Sequence, residues 1–190
     1  EAGEPDSFLS SINVNYFRSV MDRFALTNYA FLLEGEGPRY VGRSHREVEE
    51  LAAGDAVLFN LSGHLHFAGF LAAARRKLYV DLDPGYTQIW QEQYGIDMNL
   101  RGHDGYATVG LNLGKSNCPL PTCGLRWDTT LPPVVLNEWE TALPPGAAYS
   151  TVADWRGFRP IEWQGVWYGQ KSDEFLRLVE LPRRVSVPLE

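Results

Sequence analysis

Leu78-Tyr79-Val80-Asp81-Leu82-Asp83-Pro84 is an apolar run with β character that breaks into two carboxylates and a proline. In an open α/β sheet, ligands gather beyond the carboxyl ends of the strands. A strand that ends on an Asp-x-Asp pair therefore marks a candidate ligand edge. The plainer reading of Asp83 is the N-cap of a following helix, with Pro84 at the first helical position, where its missing N–H costs little. Asp81 falls inside the strand-like run, so capping does not account for it.

The pattern around this run alternates between strands and helices. Upstream, Ala56 to Leu61 reads as a buried-type strand closed by Ser62-Gly63-His64, and Phe67 to Arg76 as an Ala-rich helix leading into a strand from Lys77 to Leu82. Downstream, the helix opened by Asp83-Pro84 runs through Ile89, Trp90 and Tyr94, and Tyr106 to Leu111 and Val134 to Leu136 are further strands. Nearer the amino end, Ile12, Tyr16, Phe17, Val20 and Phe24 recur at helical spacing, and Tyr29 to Leu33 is a short strand. Ser44-His45-Arg46-Glu47 fits a capping box before a helix reaching Ala53. Such alternation predicts βαβ units and a mostly parallel sheet with flanking helices. After Pro144-Pro145-Gly146 the character changes. Tyr149 to Trp155 is expected as a strand, Ile161 to Tyr168 as a hairpin turning at Gln164-Gly165, and Ser172 to Leu181 as a closing helix. A doubly wound sheet normally opens on a strand and a Gly-rich turn, whereas this chain opens on a helix.

Bulk properties narrow the function classes. The 190 residues suit one ordinary domain, and 44% apolar with 22% charged residues is the balance of a globular protein. A net charge of −7, with no basic cluster beyond Arg75-Arg76-Lys77 and Arg183-Arg184, argues against a nucleic-acid partner held through phosphates. No apolar run is long enough to span a membrane, and the first residues show neither part of a signal peptide, so a cytoplasmic location is expected. A start at Glu1 and an end in Leu189-Glu190, a dipeptide typical of cloning scars, suggest a piece of a longer protein. Cys118 and Cys123 are the two cysteines; they are expected as reduced structural thiols rather than a disulfide, and are too few to hold zinc alone.

LYVDLDPGYTQIW, GIDMNLRGHDGYATVGLNLG, CPLPTCG, LPPVVLNEW, and a tail of TVADWRGF with VWYGQKSDEFLRLVELPRR together resemble the N-terminal, acceptor-side half of a family of bacterial GT-B-like glycosyltransferases. The resemblance runs from about Tyr16 to Arg184. It implies one Rossmann-like domain over residues 1–190, the incomplete half of a two-domain protein. A nucleotide-sugar donor would bind a second domain, the acceptor is unspecified, and no resident cofactor is expected. By that analogy this chain binds the acceptor side and does not turn over alone.

Against this background the candidate catalytic residues are His103, Asp81 and Asp83. Either acid could orient an acceptor hydroxyl or act as base, and a histidine held by an acid is a competent base near neutral pH. Candidate substrate-binding residues are Ser62, Gly63 and His64 at the end of a strand, Asp104 beside His103, Asn112 and Gly114 in the glycine-spaced run Thr108 to Gly114, and Lys171 near the expected interdomain cleft. No dedicated metal site is expected. An alternative makes Asp81 and Asp83 a GT-A-like Asp-x-Asp holding a divalent cation. A further alternative is a non-catalytic binding or assembly module that kept the fold. Trp155, Trp163, Trp167 and Tyr168 are expected mainly as hairpin core.

Overall fold

The computed structural model of the chain describes residues 7–35, 39–138, 149, 154–155 and 157–189. It is a mixed α/β protein of Rossmann-like character. Strands β3 (Val57–Leu61), β4 (Arg76–Asp81), β5 (Gly105–Thr108) and β6 (Asp128–Thr129) form one all-parallel sheet in that order. The chain divides into two compact units, Glu1–Asp81 with Asn99–Ala107, and Leu82–Met98 with Thr108–Glu190.

The first unit opens on α1 (Ile12–Arg23), whose N-cap Ser11 accepts the Val14 N–H at 3.2 Å. The helix lies where its spacing predicts, but rotated. Val14 is its buried residue, while Ile12 is 82% exposed and Tyr16 is also exposed. Next come β1 (Phe31–Leu33) and β2 (Tyr40–Gly42), an antiparallel pair in register from Phe31↔Gly42 to Leu33↔Tyr40. β2 carries no apolar alternation, which is why the sequence pattern does not reveal it.

The capping box of α2 (His45–Ala53) forms as written in the sequence. The Glu47 N–H reaches the Ser44 hydroxyl at 3.3 Å, and Glu47 Oε2 accepts the Ser44 N–H at 2.8 Å. Ser44→Ala is expected to cost about 1 kcal/mol in a urea melt. The hydrogen bond from the Ser44 backbone, then that from its hydroxyl, and the Arg43 charge hold the Glu47 carboxyl below its ordinary 4.5. A depressed carboxylate adds stability above its unfolded value and loses it as pH falls through its folded one. Glu47→Gln should therefore flatten the acid limb of the stability curve below about pH 4.5. An unchanged limb would show the box contributes nothing there.

β3 pairs with β4 from Val57↔Arg76 to Leu61↔Val80. The expected burial of β3 is only partly met. Asn60 is fully buried, whereas Val57, Phe59 and Leu61, which point to the opposite face of the strand, are exposed. The helix between them, α3 (Ala68–Ala73), is shorter than its Ala-rich register predicts. Tyr79, in the middle of β4, has no exposed surface, and its ring meets those of His103 and Tyr106.

In the second unit, α4 (Tyr86–Glu92) begins later than Asp83-Pro84 predicts. Its N-cap is Gly85, at φ 97°, and the Gly85 N–H is taken at 2.7 Å by the buried side chain of Gln88. Asp83 contributes its carbonyl, to the Thr87 N–H at 3.2 Å, and its side chain stays at the surface. The correction has a simple cause: a glutamine buried on the helix's inner side satisfies the orphan donor that an N-cap aspartate would otherwise take.

Val134 to Leu136 is not a strand. It is exposed, follows two prolines that offer no N–H to a ladder, and runs into a 3₁₀ turn at Leu136–Glu138. The hairpin is present as β7 (Ile161–Trp163) and β8 (Val166–Tyr168). Gln164 and Gly165 both take positive φ, 53° and 80°, as a type I′ turn requires. Ile161 supplies its buried residue; Trp155 and Trp167 are exposed, and Trp163 donates its indole N–H to the Pro119 carbonyl at 2.7 Å. The closing helix is α5 (Lys171–Arg177). Of the strand expected from Tyr149 to Trp155, residues 150–153 lie outside the described residues.

Cys118 and Cys123 are both free thiols, and Cys123 Sγ–H approaches the Gln88 carbonyl at 3.4 Å. Among the described residues no helix is long and apolar enough to cross a membrane.

Candidate functional site

The sequence-selected residues fall into both units. In the first, Asn60 organises the neighbourhood. Its carboxamide oxygen accepts the Leu65 N–H and its NH₂ donates to the Leu65 carbonyl, each at 2.9 Å. That two-point clamp closes the loop carrying Ser62, Gly63 and His64. Ser62 N–H reaches the Val80 carbonyl at 2.8 Å, and the Gly63 carbonyl accepts from Asn99 Nδ2 at 2.9 Å. Ser62 and Gly63 both hold positive φ, so the loop turns sharply, with Gly63 buried and His64 outside.

His103 belongs to the same network. Its Nε2 lies 3.2 Å from Asn60 Nδ2, and its Nδ1 lies 3.2 Å from the Leu100 carbonyl. Because Leu65 fixes which end of the Asn60 amide is the donor, Nε2 must accept and Nδ1 must carry the hydrogen. The ring also packs edge-on against Tyr79 at 5.3 Å between centroids. Both nitrogens are thus spoken for by an amide and a backbone carbonyl, not by a carboxylate. Asp104 turns elsewhere: its Oδ2 accepts the Lys77 N–H at 2.7 Å, and its own N–H donates to the Lys77 carbonyl at 2.8 Å. Asp81, the last residue of β4, is fully buried. In this unit, then, His103 and Asp104 tie strands and loops together, and Asp81 is enclosed at a strand end.

In the second unit, Asp83 and Lys171 line one cavity of about 440 Å³. Tyr86, Asp154, Phe158 and Gln170 complete the wall that matters chemically. The Tyr86, Trp90 and Phe158 rings pack on one another, at centroid distances of 5.2, 5.3 and 4.9 Å. Gln170 Oε1 accepts the Gly157 N–H at 2.7 Å and so pins the turn that carries Phe158. The Tyr86 hydroxyl approaches the Gly169 carbonyl at 3.5 Å, and burial raises this phenol above its ordinary 10.0. At neutral pH it is therefore a neutral donor. A raised phenol contributes stability that is present below about pH 10.0 and lost as pH climbs through its folded value. Tyr86→Phe should accordingly soften the alkaline limb of a pH–stability curve.

Asn112 and Gly114 sit apart from that cavity. Asn112 Oδ1 accepts from Lys115 Nζ at 3.3 Å, and Gly114, at φ 80°, lines a second cavity of about 530 Å³ with Lys115, Arg126 and Trp127. Gly110, the other glycine of that run, makes room for a neighbour: a Cβ there would stand 2.6 Å from the Pro84 side chain. Its bareness lets Pro84 pack, which seats the segment bearing Asp83. Among the described residues no group of three or more His, Cys, Asp or Glu side chains is arranged to hold a metal ion.

Phe158, Asp154 and Gln170 were not legible as site residues. Phe158 follows Gly157 in a tail noted for its tryptophans, and Gln170 precedes Lys171; neither has a spacing signal. The fold is of the α/β class, and the second unit carries a cavity lined by Asp83 and Lys171. No family model, curated protein or solved structure matches the chain.

Proposed function

We propose that this chain is the acceptor-binding half of a nucleotide-sugar-dependent glycosyl transfer, with the donor carried by a second domain. The observation that supports the reading is the preformed cavity of about 440 Å³ lined by Asp83, which follows the last residue of β4 by two positions in the chain, with Tyr86, Phe158 and Lys171. Among the described lining residues, the two carboxylates Asp83 and Asp154 outnumber the one ammonium, Lys171, a balance that suits an acceptor better than a donor's diphosphate. Asp83 is the residue assigned to the acceptor hydroxyl, as the group that orients it and takes its proton.

Calorimetric titration of UDP- and TDP-sugars into this chain, with and without Mn²⁺, tests the reading. The expected result is no binding in either condition. Metal-dependent binding would overturn it in favour of an Asp-x-Asp metal site, and metal-independent binding would place the donor on this half.

A further inference from the structure

The cavity beside Asp83 offers more than a place for an acceptor, because its walls differ in kind. One is aromatic. Phe158 is 48% exposed although it packs on Trp90 and Tyr86, so part of its ring is left without a protein partner. The others are polar, and three of their groups keep hydrogen-bonding capacity. Among the described residues, Asp154 and Lys171 make no hydrogen bond or ion pair. Gln170 has committed its carbonyl oxygen to Gly157, which leaves its NH₂ as a donor.

The cavity is also held open by bonds that no ligand supplies. Gly157 N–H to Gln170 Oε1 at 2.7 Å and Gln170 N–H to Asp173 Oδ2 at 2.8 Å fasten the Phe158 turn to the start of α5. A preformed site of this volume, with one apolar wall and a few convergent polar groups, is built for a small molecule.

Three ligand chemistries compete for it. A phosphorylated or carboxylated molecule meets the excess of carboxylates. A purely apolar molecule would leave the Asp154 carboxylate and the Lys171 ammonium desolvated without partners. A pyranose ring satisfies every wall. Its C–H face lies flat on Phe158, its hydroxyls donate to Asp83 and Asp154, and its oxygens accept from Lys171 and Gln170. We infer that this cavity binds an uncharged saccharide, so that the acceptor of the proposed transfer is itself a carbohydrate. This rests on the acceptor-side reading for its role, although binding can be measured without it.

The test is saturation-transfer NMR and calorimetry of this chain with methyl glycosides of glucose, galactose and mannose, and with cellobiose, maltose and lactose. Glucose 6-phosphate and glucuronate serve as charged counterparts. Binding of at least one neutral sugar is expected, with the charged counterparts weaker. Phe158→Ala should weaken it about tenfold and Phe158→Trp should retain it. Asp83→Asn should weaken it by a similar factor. Thermal melts of each variant report whether the fold survives, and the tryptophan variant keeps the comparison valid if the alanine variant does not fold.

Failure of every neutral sugar to bind, tighter binding of the charged ones, or indifference to Phe158→Ala in a folded protein would each overturn the inference. The two readings fail separately. A bound saccharide that is never glycosylated when a donor domain is supplied would refute the transferase and leave the site. Transfer to a non-carbohydrate acceptor, with no sugar bound, would do the reverse.

Discussion

Asn60→Ala is expected to destabilise the protein by on the order of 3–5 kcal/mol, lowering the melting temperature by roughly 8–15 °C. The size follows from what the carboxamide touches. It takes the Leu65 N–H, feeds the Leu65 carbonyl, and supplies the hydrogen that His103 Nε2 accepts, all from a residue with no exposed surface. Deleting it removes three hydrogen bonds and leaves two backbone groups and a ring nitrogen without partners. An unsatisfied buried group costs about 1–3 kcal/mol, more than the bond itself contributes. The loss is a large share of a typical domain's stability. Asn60→Asp separates shape from chemistry: it keeps the acceptor for Leu65 N–H but cannot donate to the carbonyl or to His103. It should recover only a minor part of the loss. A urea melt showing less than about 1 kcal/mol for Asn60→Ala would mean that water replaces the clamp, and that the Ser62-Gly63-His64 loop stands without it.

Gly110→Val should destabilise by about 2–3 kcal/mol and, unlike Asn60→Ala, should also damage the cavity beside Asp83. A side chain at Gly110 meets Pro84 Cβ at 2.6 Å and its own neighbour's Thr108 Oγ1 at 3.2 Å. The Thr108 hydroxyl already accepts the Gly110 N–H at 3.0 Å, so this turn cannot simply swing away. Pro84 must move instead, and Asp83 is bonded to it. The expected signature is loss of saccharide affinity larger than that of a core variant of equal stability, such as Ile89→Val adjusted by urea to match. Equal affinities at matched stability would show that Pro84 yields without carrying Asp83 along.

The elements legible in the sequence are those with a strong local cause. The Ser44–Glu47 capping box, the Gln164-Gly165 turn and the β-type run from Leu78 to Asp81 each need only neighbours in the chain, and each forms where the sequence places it. What misled were patterns whose meaning depends on distant partners. The run from Ala56 to Leu61 predicts a buried strand, but the face that carries Val57, Phe59 and Leu61 is exposed while that of Leu58 and Asn60 is covered. The α1 stripe predicts a core face, yet the helix settles on Val14. Asp83-Pro84 predicts a cap, and a buried glutamine from one turn ahead takes the role.

The candidate site divides in the same way. Residue chemistry alone marked Asp83 and Lys171, and they line one cavity. The same criterion marked Asp81, His103 and Asp104, which lie within hydrogen-bond reach of scaffold groups or are buried at a strand end. A histidine's type shows that it can carry a proton; only its two neighbours show that both nitrogens are occupied. Composition, charge and the alternation of strand and helix were sufficient to specify an acidic α/β protein with a parallel sheet, because those depend on local periodicity and bulk balance. Which acids face a cavity, which ring forms its wall and which glycine makes room for it were decided by tertiary packing, since each depends on residues more than twenty positions apart meeting in space.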